Sequence, residues 1–241
     1  MSKDTDPSGS FGVDYIRAEL NGARYFVPQY AMHRPAAKRI MAGRYYEPQT
    51  HQFVKDFFAR VPGSMVHAGT FFGDMLPNFS SLVPGRVYAF EPVLENYVLA
   101  NLCVRENDLT NVFLFNAALG EMIDVLRVDT SSEGGTHAGG HSKVGEVGHL
   151  CPVVTIDGFD ISDLALIQLD VEGFELKALK GALKTIARLT PAIAIEDNSG
   201  NCASFLTELG YAFAFEIPGL SIWTNPARPE VAAAVAECKR G

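Results

Sequence analysis

The chain has 241 residues, 47% of them hydrophobic and 20% charged, which allows one α/β core with an extension and excludes a disordered or collagen-like chain. Lys and Arg number 20 against 28 Asp and Glu, a net charge of -8 without any basic cluster, so unaided binding to a nucleic-acid duplex is not expected. No apolar run nears the ~20 residues of a membrane span, and MSKDTDPSGSFG lacks the basic start and apolar stretch of a secretory signal, so no membrane partner and a cytoplasmic location are expected.

Residues 1–11 are small and polar and read as a mobile tail. Val13 to Leu20 and Arg24 to Val27 flank Asn21-Gly22, a hairpin signal. Pro35 to Ala42, closed by Gly43, predicts a short helix, and Phe53, Val54, Phe57, Phe58 and Val61 repeat at helical spacing up to Gly63. Residues 12–63 thus form an N-terminal hairpin and helices. From Ser64 the pattern changes to short apolar strands separated by helical stretches: Met65 to Ala68, Arg86 to Phe90, Val112 to Phe115, Leu164 to Leu169 and Ala192 to Ile195. That alternation predicts a parallel sheet with helices on both faces over residues 64–226.

The helix after the fourth strand, spanning Glu172 to Ile186, carries Leu176, Leu179, Leu183 and Ile186 on one stripe, and the next carries Cys202, Phe205, Leu206 and Leu209. Tyr211 to Ile217 and Leu220 to Thr224, around Pro218-Gly219, predict a closing antiparallel hairpin, with a C-terminal helix over 227–241. Between the third and fourth strands, Ile123 to Val128 and Val153 to Ile156 are further strand candidates. They bracket residues 131–148, a stretch too polar for the core and long enough for a mobile lid. Cys103, Cys151, Cys202 and Cys238 are widely spaced and contain no CxxC pair, which predicts reduced core thiols.

In an open parallel sheet ligands bind beyond the carboxyl ends of the strands, near the switch in strand order. After the first strand comes His67-Ala68-Gly69-Thr70-Phe71-Phe72-Gly73-Asp74, where the glycines let the backbone pass close to a ligand. Glu91 ends the second strand, where a carboxylate can accept both hydroxyls of a ribose. A nicotinamide-dependent oxidoreductase would use such a residue too, but Thr70, Phe71 and Phe72 fill the space that the dinucleotide fingerprint gives to glycine.

The segments VHAGTFFGDM, VYAFEPVLENYVLAN, NVFLFNAALGE, TIDGFDISDLALIQLDVEGFELKALKGA and PAIAIEDN, in this order and spacing, resemble the FkbM-type S-adenosylmethionine-dependent methyltransferases. GRYYEPQT at 43–50 is similar to that family's lead-in, and the resemblance covers roughly residues 24–215. It implies a Rossmann-like class I fold, a seven-stranded mostly parallel sheet, and methylation of hydroxyls on sugars or other small molecules. By position it implies that His67, Gly69, Phe71 and Gly73 lie at the methionine end of the cofactor and that Glu91, with Pro92, meets the ribose. Asn116 and Ala117 would lie near the adenine and Asp170 beside the reacting methyl group.

The family usually has an acidic residue where this chain has His67, so a non-catalytic paralogue that binds the cofactor is a second reading. Asp170 is the first candidate for the base that accepts the hydroxyl proton, and His137 and His141 in the lid stretch are the others. Asp170 with Asp197-Asn198 offers oxygen ligands for Mg²⁺, as in catechol-type methyltransferases, but the resemblance does not imply a metal and none is favoured. Base-flipping amino-methyltransferases carry a Pro-Pro-aromatic pattern where this chain has Asp170-Val171-Glu172-Gly173. A small-molecule acceptor, not a nucleic acid, is therefore the expected partner. Nothing in the sequence sets an oligomeric state.

Overall fold

In a computed structural model of the protein, residues 12–130, 143–145, 148–197 and 200–239 are described. The tail over 1–11, His137, His141 and Asn198 lie outside them. The strands β1 (Tyr15–Leu20) and β2 (Ala23–Pro28) pair antiparallel around Asn21 and Gly22. Both turn residues have positive φ, 52° and 81°, which matches a two-residue turn to the twist of its strands. The helices α1 (Pro35–Met41) and α2 (Pro48–Phe58) each carry proline in the first turn, where a missing N–H costs no helical bond.

The sheet then builds through β3 (Ser64–Ala68), α3 (Leu76–Leu82), β4 (Val87–Phe90), α4 (Leu94–Glu106) and β5 (Val112–Phe115). A second sheet follows, made of β6 (Ala118–Leu119), β7 (Asp124–Asp129), β8 (Lys143–Gly145) and β9 (His149–Val154) in the order β6-β9-β7-β8. The candidate at Ile123 to Val128 thus belongs to a separate sheet as β7, the candidate at Val153 to Ile156 meets β9 only at Val153 and Val154 because Ile156 starts a 3-10 turn, and part of the stretch predicted as a lid is strand β8. The main sheet resumes with β10 (Leu164–Leu169), α5 (Glu175–Lys180), α6 (Leu183–Leu189), β11 (Ala192–Ile195), α7 (Asn201–Glu208), β12 (Ala212–Ile217) and β13 (Leu220–Thr224), and α8 (Pro229–Cys238) closes the chain.

The main sheet has the order β12-β13-β11-β10-β3-β4-β5, with β12 and β13 antiparallel and the rest parallel. This is the seven-stranded, mostly parallel α/β sheet with a closing hairpin that the sequence predicts. Every residue of β3, β4, β10 and β11 is buried, as helices on both faces require. One face packs Phe53, Phe57, Phe79 and Val231 against the sheet, and the other packs Leu179, Ile186, Cys202 and Leu206. The N-terminal hairpin and α1 bury Phe26, Val27 and Ile40 against Leu99 and Cys103 of α4. All four cysteines are free thiols. Among the described residues no helix is long and apolar enough to cross a membrane.

One predicted helix is two. The stretch expected to be continuous from Glu172 to Ile186 breaks between α5 and α6 at Gly181-Ala182. Gly181 packs so closely on Gly120 that a Cβ there would overlap the Gly120 carbonyl oxygen. Asp157, 27 residues upstream of Lys184, then caps the second helix: its carboxylate accepts from the backbone N–H groups of Lys184 (3.1 Å) and Thr185 (2.8 Å) and from the Thr185 hydroxyl (2.7 Å). Removing a cap of this kind costs about 1–2 kcal/mol, so Asp157→Ala should lower the denaturant midpoint without changing the slope of the transition. An unchanged midpoint would leave the break to Gly181 alone.

Candidate active site

The parallel register aligns Ala68 with Phe90 and Leu169, Phe90 with Phe115, and Leu169 with Ile195. The next residue of each strand therefore joins one row along the carboxyl edge: Gly69, Glu91, Asn116, Asp170 and Glu196. The backbone continues the ladder into this row, with Asp170 N–H donating to Ala68 O (3.1 Å) and Glu196 N–H to Leu169 O (3.0 Å). Strand order reverses between β3 and β10, so Gly69 and Asp170 sit side by side at the switch point. Gly69 has φ +91°, and a Cβ there would overlap the Asp170 carbonyl oxygen, so only glycine fits.

Glu91 organises the loop after β3. Its Oε2 accepts the Phe71 N–H (2.7 Å), and its Oε1 accepts the Val93 N–H (2.9 Å) and the Asn96 amide (3.1 Å). Asn96 in turn accepts the Tyr30 hydroxyl at 2.6 Å, which ties the N-terminal extension to the same carboxylate. Phe71 is held at φ 51°, an uncommon conformation for a residue with a side chain, by the Glu91 bond and the adjoining turn. Burial pushes the Glu91 carboxyl up to about 7, although all three donors oppose the shift.

Two clefts meet over this row. A narrow slot runs between Phe90, Pro92, Ala117, Leu119, Val171 and Phe174. A wider cleft of about 500 Å³ is walled by Arg34, Tyr46 and Glu47 from the N-terminal extension and by Asp74, Asp170 and Glu196 from the main sheet. Gly69, Glu91, Asp170 and Glu172 line both. Burial raises the Asp170 carboxyl well above the ordinary range, and Glu196 adds to this through a shared hydrogen bond and its charge. Burial likewise pushes Asp74 up to about 7, with Glu47 and Glu91 contributing. The floor of the cleft therefore carries closely spaced acids and favours a cationic ligand.

Other residues singled out in the sequence lie elsewhere. His67 lines neither cleft: it is 1% exposed, its Nδ1 pairs with Gln168 Oε1, and its ring packs edge-on against Phe79. Burial drives its pKa down to about 4, so the ring stays neutral in the core. Asn116 donates its amide to the carbonyls of Glu91 (2.9 Å) and Pro92 (3.2 Å) and shapes the slot without lining it. Gly73 serves packing, since a Cβ would press on Ala100 of α4 at 3.1 Å. Asp197 accepts the Cys202 N–H (2.8 Å) at the start of α7, and among the described residues no group of three His, Cys, Asp or Glu is arranged to hold a metal ion. Glu175 caps its own turn, accepting the N–H groups of Val171 and Gly173, each at 3.1 Å.

The Methyltransferase FkbM domain family matches residues 68–213. The chain belongs to the FkbM methyltransferase family. The match starts at Ala68, so the upstream likeness in GRYYEPQT lies outside it. No curated protein matches the chain. Among solved structures, the FkbM methyltransferase of Methylobacillus flagellatus KT is 22% identical, with a TM-score of 0.49, and covers 68% of this chain and 43% of that one. This chain thus spans under half the length of that protein. A SAM-dependent methyltransferase from Aquifex aeolicus is 17% identical (TM-score 0.42, 72% and 87% of the two chains), and an rRNA methylase from Streptococcus thermophilus is 13% identical (TM-score 0.40, 72% and 90%).

Arg34, Glu47, Asp74 and Glu196 line the wider cleft and are not singled out as site residues from the sequence of this FkbM family member. Glu196 had a usable signal, because it follows its strand immediately, as Glu91 and Asp170 follow theirs. Glu47 lies in the GRYYEPQT lead-in but is given no role there, and Arg34 had no signal, because tertiary packing brings both over the sheet.

The raised carboxyls set the pH dependence of stability. Asp74 and Glu91 take up protons near pH 7 in the folded protein but only near pH 4 when unfolded. Between those values the folded state holds more protons, so Tm should climb as the pH falls from about 8 to about 6.5. Below that, His51 and His67, both lowered to about 4, oppose the trend, because the unfolded chain protonates its histidines first. Asp74→Asn should flatten the climb in a thermal melt series. A Tm that is level or falls over that window contradicts the burial of these acids.

Proposed function

We propose that this S-adenosylmethionine-dependent enzyme methylates a hydroxyl group of a small molecule, with Asp170 receiving the hydroxyl proton. The observation that carries this reading is the adjacency of Gly69, Glu91 and Asp170 on one rim shared by two clefts. The residues fit the cofactor. The apolar slot suits a flat heteroaromatic ring, the single bond to Glu91 Oε2 leaves it a lone pair for a ribose hydroxyl, and the acids of the wider cleft suit an ammonium and a sulfonium.

The cofactor supplies an electrophilic methyl group. Bound there, it would pass that methyl group from its sulfur to the acceptor oxygen, whose proton needs a base. Asp170 is suited to that role because burial and Glu196 raise its proton affinity. A cation bound in the cleft would hold Asp170 ionised, and neutralisation of that cation on transfer would return the carboxyl to its proton-binding state. Holding acceptor and methyl in line supplies most of the acceleration, up to ~7–11 kcal/mol.

A small acceptor is favoured over nucleic acid by the net charge of -8 and by the acids of the cleft, which repel a phosphate backbone. The reading as a non-catalytic paralogue loses its motive, because His67 points into the core and its departure from the family pattern does not alter the cleft.

S-adenosylhomocysteine at ~100 times its dissociation constant should stabilise the protein by about 2.7 kcal/mol, a clear thermal shift, while NAD should give none. Glu91→Ala should weaken that binding by about 1.5–3 kcal/mol through loss of a charged acceptor and release of the Phe71 loop. Asp170→Asn should keep cofactor affinity within a few-fold and lose turnover against a library of hydroxylated acceptors. A shift with NAD and none with S-adenosylhomocysteine overturns the assignment, and full turnover by Asp170→Asn removes Asp170 as the base.

A further inference from the structure

Arg34 sits at the junction of the N-terminal extension with the wider cleft. Its backbone is fixed on both sides: the N–H donates to Ala31 O (2.9 Å) and the carbonyl accepts the Lys38 N–H (3.0 Å) at the start of α1. Its half-buried side chain lines the cleft together with Tyr46, Asp74 and Asp170. Among the described residues the guanidinium has no hydrogen-bond or ion-pair partner. Glu172 and Asp170 attract it from a distance, yet neither forms an ion pair with it. Asp170 is instead engaged with Glu196. Loss of water around Arg34 outweighs the attraction of these acids, so its pKa is lowered. A half-buried charge left without a partner is free to take one, and a guanidinium's planar fork is matched to the two oxygens of a carboxylate.

We propose that Arg34 holds a carboxylate group of a ligand in the wider cleft, gripping its two oxygens in a paired hydrogen bond. Two sources offer that chemistry. One is the amino-acid end of the cofactor, which rests on the function proposed above, and the other is a carboxylate on the acceptor. Arg39, exposed on the first helix and lining the same cleft, adds positive charge at its outer edge. The N-terminal extension thereby supplies the cation that the acid-rich sheet edge lacks.

Isothermal titration of the full chain with S-adenosylhomocysteine and with 5′-methylthioadenosine, which lacks the amino-acid group, separates these sources. If Arg34 holds the cofactor's carboxylate, Arg34→Ala binds S-adenosylhomocysteine at least tenfold more weakly and 5′-methylthioadenosine unchanged, and Arg34→Lys recovers only part of the loss. Unchanged 5′-methylthioadenosine binding also shows that the variant is folded. If the carboxylate belongs to the acceptor, S-adenosylhomocysteine affinity is the same in both proteins. In that case 3-hydroxybenzoate, followed by ligand-observed NMR, binds the wild-type complex and not the Arg34→Ala complex. Equal S-adenosylhomocysteine affinity without Arg34-dependent binding of 3-hydroxybenzoate overturns the proposal. Failure of S-adenosylhomocysteine to bind the wild type strikes the cofactor reading, and the 3-hydroxybenzoate arm on the ligand-free protein then decides the role of Arg34.

Discussion

A single buried carboxylate joins the loop after β3, the start of α4 and the N-terminal extension. Glu91 is 4% exposed and would be costly in the core without donors, and it finds three of them on two segments: Phe71 in the loop after β3, and Val93 and Asn96 at the start of α4. The Asn96 link extends the network to Tyr30, so the N-terminal extension is anchored to the loop that follows the central strand. The close approach of Gly69 to the Asp170 carbonyl then fixes this loop beside the end of β10. Together these contacts set the distance between the slot and the wider cleft before any ligand arrives.

The electrostatic character of the clefts follows from sheet geometry. A parallel sheet brings the residue after each strand to one edge, and here three of the five in that row are acids: Glu91, Asp170 and Glu196. Asp74 and Glu47 join them from the glycine-rich loop and from the residue before α2. Besides burial, Glu196 and Glu47 raise the proton affinity of Asp170, and Glu47 and Glu91 raise that of Asp74, and the protein carries a site that gains from a positive ligand. Arg34 is the counterweight, brought in by the extension and outside the row.

Much of this was legible in the sequence because the signals are local. The five apolar runs form strands within a residue of their predicted ends, and β3, β4, β10 and β11 are buried on both faces, which leaves a continuous apolar signature. Gly69, Glu91 and Asp170 could be picked out by following each run to its last residue. What escaped depends on contacts distant in the chain. The break between α5 and α6 is enforced by Gly120 and Asp157, both upstream of β10. His67 occupies a family position that suggests a ligand contact, but strand alternation turns it with Met65 toward the Phe79 side, away from the cleft. Glu47 and Arg34 reach the site only because the hairpin and α1 pack against α4.

The carboxyl edge of β3, β4 and β10 is proposed to be one continuous cofactor site. A crystal structure of the protein with S-adenosylhomocysteine tests it most directly. We expect the adenine in the slot between Pro92 and Val171, a ribose hydroxyl within hydrogen-bonding distance of Glu91, and the sulfur facing Asp170. Ligand density away from this edge, or a ribose that does not meet Glu91, would contradict it.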